Sequence, residues 1–255
     1  MFSKLLSLPV VASEHGHDVD KFIIYIHWLM GALFVIWLGY FLYVLWRFRA
    51  TKNPKADHVG ARTHASSYLE GVVALVEAVL LIGFAIPLWA KVVEAPTGAD
   101  TNVVRVMAQQ FGWNFMYPGT DKKFGAQDLE LVTSDNKFGQ VPEDEAGQDD
   151  FFTYNDLRVP LGTPTVFQIS SLDVIHSFKV IALRICQDAI PGMSIPTWCT
   201  PEKEGRYQIN CAQLCGNSHS KMSLGFLTVQ SPEDFEAWIA ENASASGGDT
   251  GGGFE

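Results

Sequence analysis

Two long apolar runs constrain this chain more than any other feature. Residues 22–46 are 25 positions without a formal charge. A helix crossing a bilayer needs roughly 20 apolar residues, so this run predicts a membrane span. Tyr25, Trp28 and Trp46 stand near its ends, where amphipathic rings favour the membrane–water boundary. Residues 65–90 predict a second span, broken only by Glu70 and Glu77. Seven residues is close to two helical turns, so both carboxylates project from one face. Carboxylates are costly against lipid, so that face is expected to meet protein or water. Between the spans, Arg47, Arg49, Lys52, Lys55 and Arg62 stand against Asp57. A short cationic loop of this kind is expected on the cytoplasmic side, with both termini outside.

After Lys91 the pattern shifts to short β-rich runs. Residues 103–107, 129–133, 156–159, 165–170, 176–183, 206–211 and 224–229 read as strands between turn signals. Strands of that number and length suggest a Greek-key sandwich. The organisation read from the sequence is an uncleaved leader over 1–20, a helical hairpin over 21–92, an outer domain over 93–242 and a disordered Gly/Ser-rich tail over 243–255. His15, His17, Asp18 and Asp20 are expected to be a solvated part of the leader. Residues 138–150, with Glu143, Asp144, Glu145, Asp149 and Asp150, read as a flexible acidic insertion. Ser231-Pro-Glu-Asp234 has the residues of a helix start: a hydroxyl cap, proline at the first position and an acid three residues on. Charge is unevenly divided, about +2 up to Val92 and −12 beyond it. An acidic outer part disfavours nucleic acid and attracts a basic protein.

The chemistry concentrates in Cys211-Ala-Gln-Leu-Cys215-Gly-Asn-Ser-His219-Ser-Lys-Met222, with His176 upstream in Asp173-Val-Ile-His176-Ser-Phe178. Thiolate, imidazole and thioether form a ligand set for a soft or borderline metal and a poor one for calcium or magnesium. A blue-copper site uses one cysteine, two histidines and a distant methionine. A second thiolate would let two coppers share bridging sulfurs. Two further readings stand beside it: a closed zinc site from two cysteines and two histidines, and a Cys211–Cys215 disulfide. Zinc would leave Met222 without a role.

Cys-x-x-x-Cys-x-x-x-His-x-x-Met, with Asp-Val-Ile-His-Ser-Phe upstream, resembles the dinuclear copper A centre of cytochrome c oxidase subunit II. Asp188-Ala-Ile-Pro-Gly192 and the aromatic run Gln110-Phe-Gly-Trp113-Asn-Phe115 match further family segments. The resemblance runs from about residue 20 to about residue 240. It implies an α+β membrane protein, a two-helix transmembrane hairpin followed by a cupredoxin-like β-sandwich or barrel. It implies a bacterial plasma-membrane location with the copper domain in the periplasm. Two copper ions would be held by His176, Cys211, Cys215, His219, Met222 and the backbone carbonyl of Gln213. The family often has glutamate where Gln213 stands and binds magnesium through it. Gln213 offers no carboxylate, so a strong magnesium site is not expected. Phe111 stands where the family admits electrons through tryptophan, with Trp113 nearby. Glu70 matches a family glutamate near a proton-channel mouth. Glu143, Asp144 and Glu145 are the candidates for donor docking. Cys186 and Cys199 lie outside the ligand set, and in an oxidising compartment they are expected to form a disulfide.

The implied activity is that of the electron-entry subunit of an aerobic haem–copper oxidase. Electrons would arrive from an external donor and pass to haem in subunit I, where oxygen becomes water and protons are moved. Cys-x-x-Cys-His, the c-type haem attachment signature, is missing from the sequence, so a separate c-type cytochrome is expected as donor. The competing readings are a nitrous oxide reductase copper domain, a copper-free quinol oxidase subunit and a free-standing copper-binding module. The hairpin argues against the first and the complete ligand set against the second.

Overall fold

The computed structural model describes residues 6–55, 58–60, 63–98 and 100–246. Its described residues divide into two compact units, one within residues 6–8 and 18–91, the other within residues 9–17 and 92–246. In the first unit, α1 (Gly16–Arg47) is a continuous 32-residue helix. α2 (Ala65–Leu80), a π-helical turn (Leu81–Ala85) and α3 (Ile86–Val93) follow as one rod. The wide turn has a local cause. Pro87 has no N–H and its ring crowds the carbonyl four residues back, and the Ile86 N–H bonds instead to Leu81 O. Both rods are long and apolar enough to cross a membrane. Away from the connecting loop, Lys91 Nζ meets Asp18 at 3.3 Å and Tyr25 meets Phe84 edge-on at 5.7 Å. Trp28, Phe34, Trp37, Leu75, Ile82 and Trp89 remain exposed, as they must if lipid and partner subunits cover them. Asp57 and Arg62 of the cationic loop lie outside the described residues.

The second unit is a β-sandwich of the cupredoxin-like kind. One sheet has the order β3-β2-β1-β5-β8, a second β10-β6-β7 and a third β4-β11-β9. The strands are β1 (Asn102–Gln109), β2 (Gly112–Tyr117), β3 (Phe151–Tyr154), β4 (Asp156–Pro160), β5 (Thr165–Ser171), β6 (His176–Val180), β7 (Ile185–Ala189), β8 (Ile195–Cys199), β9 (Gly205–Gln208), β10 (Asn210–Cys211) and β11 (Phe226–Gln230). β1 runs parallel to β5, and β4 parallel to β11. The interior is aromatic: Trp113, Phe115, Tyr117, Phe167 and Phe178 are all buried. α4 (Pro232–Ser246) closes one end, where Trp238 meets Tyr117 edge-on at 5.0 Å. Ser231 Oγ accepts the Asp234 N–H at 3.1 Å, which caps this helix as its sequence predicts.

Several expectations need correction. Residues 129–133 form a 3-10 turn (Leu129–Leu131) rather than a strand, because Asp128 caps the Glu130 N–H and Leu129 points to solvent. β2, β3, β7 and β8 were not among the expected strands. Part of the leader is a strap on the β-domain: Ala12 N–H bonds to Ala182 O at 2.8 Å and Glu202 N–H to Ala12 O at 2.9 Å. His15 and Asp20, expected to be solvated, are buried, as is Ser13, and His17 Nε2 meets Glu202 at 3.0 Å. The acidic insertion is tied down by its own carboxylates. Asp144 accepts the Ala126 N–H at 2.6 Å, Asp149 that of Thr120 at 2.7 Å and Asp150 that of Gly125 at 2.9 Å. The helix α4 carries Ala243 into the core, so the expected tail does not start at 243; residues 247–255 lie outside the described residues. Cys186 and Cys199 are free thiols. Cys186 faces outward from β7 while Cys199 is sealed in the interior, so the expected disulfide is not made.

Candidate metal centre

Cys211 ends β10 and pairs with Phe178 of β6, the strand that begins at His176. That register places the cysteine beside the histidine, although 35 residues separate them. The Ala212 N–H then bonds to Ser177 O at 3.0 Å, so the chain leaves the sheet where the loop starts. The loop folds back at Gly216, whose φ of 140° favours glycine. A Cβ there would lie 3.0 Å from Phe111 Cζ, so the Phe111 ring sits against this turn. A 3-10 turn (His219–Leu224) completes the segment and buries Met222.

Among the described residues, ligand atoms of His176, Cys211 and Cys215 lie within 4.8 Å of one another. His176 Nδ1 is 3.9 Å from Cys211 Sγ, and His219 Nδ1 is 3.3 Å from Cys215 Sγ. Each sulfur therefore has its own imidazole. Gln213 O lies 3.0 Å from Cys211 Sγ, with the Gln213 side chain exposed. Met222 lies under the loop, its carbonyl taking the Trp113 Nε1–H at 2.9 Å.

The electrostatics ask for a cation. Burial opposes ionisation of Cys211, yet the His176 ring and the Ser177 N–H hold its thiol below the usual range. Burial and the neighbouring Cys211 sulfur push Cys215 up to about 11. Two adjacent sulfurs cannot both ionise cheaply unless positive charge sits between them. Thiolates with imidazoles suit copper or zinc and not calcium or magnesium. The donor set therefore fits a soft metal.

Sequence reasoning did not assign the groups behind the ligands. Asp173 Oδ1 accepts from His176 Nε2 at 2.9 Å, which leaves Nδ1 facing the sulfurs. Its Oδ2 takes the Gln110 N–H at 2.7 Å. Burial raises the Asp173 pKa, but the Gln110 N–H, the His176 ring and the Val174 N–H outweigh it and hold the carboxyl below its usual range. Burial likewise opposes the charged His176, and Cys211 and Asp173 outweigh it, raising its pKa. The Gln110 side chain donates to Cys215 O. The signal for Asp173 was its place three residues before the histidine.

Trp113 is fully buried, 6.2 Å from the His176 ring and 5.3 Å from Phe178, so it is the floor of the site. Phe111 is half-buried. Glu70 and Glu77 are exposed on α2. Of the docking candidates, Glu143 and Glu145 are exposed, while Asp144 is occupied as a backbone cap.

Residues 102–229 match the family model for cytochrome c oxidase subunit II, periplasmic domain. The chain is 30% identical over 239 residues to the alternative cytochrome c oxidase subunit 2 of Bradyrhizobium diazoefficiens, covering 93% of this chain and 84% of that one. It is 32% identical over 235 residues to cytochrome c oxidase subunit 2 of Cereibacter sphaeroides, covering 85% and 75%. Among solved structures it is similar to the periplasmic domain of subunit II of cytochrome oxidase of Bradyrhizobium japonicum. There the identity is 25%, the coverage 60% of this chain and 98% of that one, and the TM-score 0.43.

Proposed function

The chain belongs to the cytochrome c oxidase subunit II family, and from that premise we propose that its β-domain takes electrons from a c-type cytochrome through a pair of copper ions. It is the electron-entry subunit of a haem–copper oxidase, a membrane protein with a periplasmic domain. One observation carries the dinuclear reading: two sulfurs stand side by side, each with its own imidazole nitrogen. The ligands are His176, Cys211, Cys215, His219, Met222 and the Gln213 carbonyl. When bound, the copper pair would accept and release one electron at a time.

The rest of the site holds that ligand set still. Asp173 fixes the His176 tautomer and ring. Gln110 holds the Cys215 carbonyl, and Trp113 holds the Met222 carbonyl beneath the loop. Sheet and indole limit movement of the ligands, which keeps reorganisation on electron uptake small. The two spans anchor the domain against the subunit that carries haem, oxygen reduction and proton translocation. Glu70, exposed on α2, faces that subunit and supplies a carboxylate at the mouth of its proton path. Both termini lie on the periplasmic side.

The test is metal analysis and spectroscopy of the full-length chain purified from copper-replete membranes. Two coppers per chain, purple colour and a mixed-valence spin signal are expected. One zinc per chain without colour overturns the reading. Recovery with a haem-containing partner separates an oxidase subunit from an isolated copper module.

A further inference from the structure

β3 is an edge strand, and its outward residues Phe152 and Tyr154 are 47% and 53% exposed. Tyr154 pairs across the ladder with Asn114. Its ring lies over Gly112: a Cβ there would fall 2.2 Å from Tyr154 Oη and 2.5 Å from Cζ. The hydroxyl reaches Phe111 O at 3.4 Å. Lys137 Nζ, held by Asn114 Oδ1 at 3.0 Å, lies 5.5 Å from the centre of the ring. The half-buried Phe111 ring packs on Gly216, next to Cys215. A path of contacts therefore runs inward from solvent: the Tyr154 hydroxyl on the Phe111 carbonyl, then the Phe111 ring on Gly216 of the cysteine loop.

We infer that Tyr154 is the aromatic residue that meets the electron donor, with Phe111 as the inner step. Gly112 makes this possible, because any side chain there would expel the tyrosine ring. Exposed aromatics grouped at a surface edge are the usual anchors of a protein interface, and Phe152 extends the patch. The donor's ferrous haem would become ferric by giving up one electron, which the copper pair would take up when bound. Tyr154 and Phe111 conduct by contact, and neither gains or loses an electron or a proton. This rests on the reading that a c-type cytochrome is the donor.

The experiment uses the full-length chain in detergent, with two readouts. The first is calorimetric binding of ferricytochrome c to the metal-free chain at low salt. Tyr154→Leu should loosen binding about tenfold, the usual cost of an aromatic anchor. Tyr154→Phe keeps the ring and should rescue most of the loss. Gly112→Ala should mimic Tyr154→Leu with the tyrosine still present, which guards against a folding defect in one variant. The second readout is stopped-flow reduction of the copper-loaded chain by hexaammineruthenium(II), which needs no docking. Tyr154→Leu should slow it while the copper spectrum stays unchanged. Wild-type binding and wild-type reduction in Tyr154→Leu would overturn the inference, as would slowing by Phe111→Leu alone. If wild type binds no cytochrome c, the donor reading fails, and the ruthenium readout still decides the role of Tyr154.

Discussion

At the scale of single residues, the metal site separates groups that bind from groups that position. Cys215→Ser should abolish the mixed-valence signal, because it removes one of the two sulfurs that would hold the ions together. Gln213→Ala should preserve it, since that residue offers its backbone carbonyl and its side chain is exposed. Asp173→Ala should leave the ligands in place and weaken copper binding about 10–100-fold, the usual cost of losing the partner of a ligating imidazole. Titration against a competing chelator reads that loss; unchanged affinity would mean that the sheet alone orients His176. Asp150 poses a different question. Its Oδ2 takes the N–H of Gly125 at 2.9 Å and the Gln140 amide at 3.1 Å, while Oδ1 is buried without a hydrogen-bond partner. Burial raises its pKa above the ordinary 3.8, against those two donors and Arg105. A raised carboxyl pKa means that the folded state holds the proton more tightly than the unfolded chain does. Its contribution to stability is therefore full below the unfolded value and is lost as pH rises through the folded one. Asp150→Asn keeps one acceptor for both donors and removes that titration. The denaturation midpoint at pH 7 should be equal or higher, with a flatter profile above pH 3.8. A large fall at pH 7 would show that attraction to Arg105 outweighs the cost of burial.

Elements were legible in proportion to how local their causes are. The two spans follow from long uncharged runs, and α4 from its cap and proline. Cys211, Cys215, His219 and Met222 fall within one loop, so their chemistry could be read directly; His176 joins them only through the register of β6 against β10. Residues 129–133 alternate like a strand, but they have no neighbour to pair with and Asp128 offers the backbone a turn. β7 carries Gln187 and Asp188 in its middle, so its composition hides a strand that pairing with β6 enforces. Tyr154 gave no signal, since its role depends on empty space at a glycine in another strand. The strap over residues 9–17 was misread for the same reason, because its partners lie about 170 residues away. Ser13 Oγ donates to Leu183 O at 2.6 Å in a fully buried setting. Ser13→Ala would leave that carbonyl unpaired and should cost about 1–3 kcal/mol. A denaturant midpoint unchanged by the substitution would show that the strap adds nothing to the stability of the β-domain.

On the scale of the whole molecule, charge is sorted along the chain, with about +2 on the part up to Val92 and −12 beyond. The cationic loop between the spans should hold a reporter fused after Lys55 in the cytoplasm, and one fused after Val229 should be periplasmic. The reverse pattern would invert the topology. The acidic part should draw in a basic donor and speed encounter. Steering of this kind is screened over about 8 Å at physiological ionic strength, so turnover must fall as salt rises. The acidic stretch after residue 138 remains a candidate rim, but its carboxylates are not equivalent. Asp144 and Asp149 cap backbone N–H groups of the 119–126 loop, and neutralising them would damage the fold, while Asp150 is buried and presents no charge to a donor. Glu143 and Glu145 are exposed and make no such bond among the described residues, so they carry field without carrying structure. The informative variant is therefore Glu143→Gln with Glu145→Gln, leaving Asp144 in place. Turnover with a basic cytochrome c across an ionic-strength series should show a shallower salt dependence in this double variant, with kcat at low salt little changed. Equal slopes would keep electrostatic docking and remove these two residues from the rim. A rate flat with salt in wild type would remove electrostatic docking itself, leaving an apolar contact such as the Tyr154 patch to hold the donor.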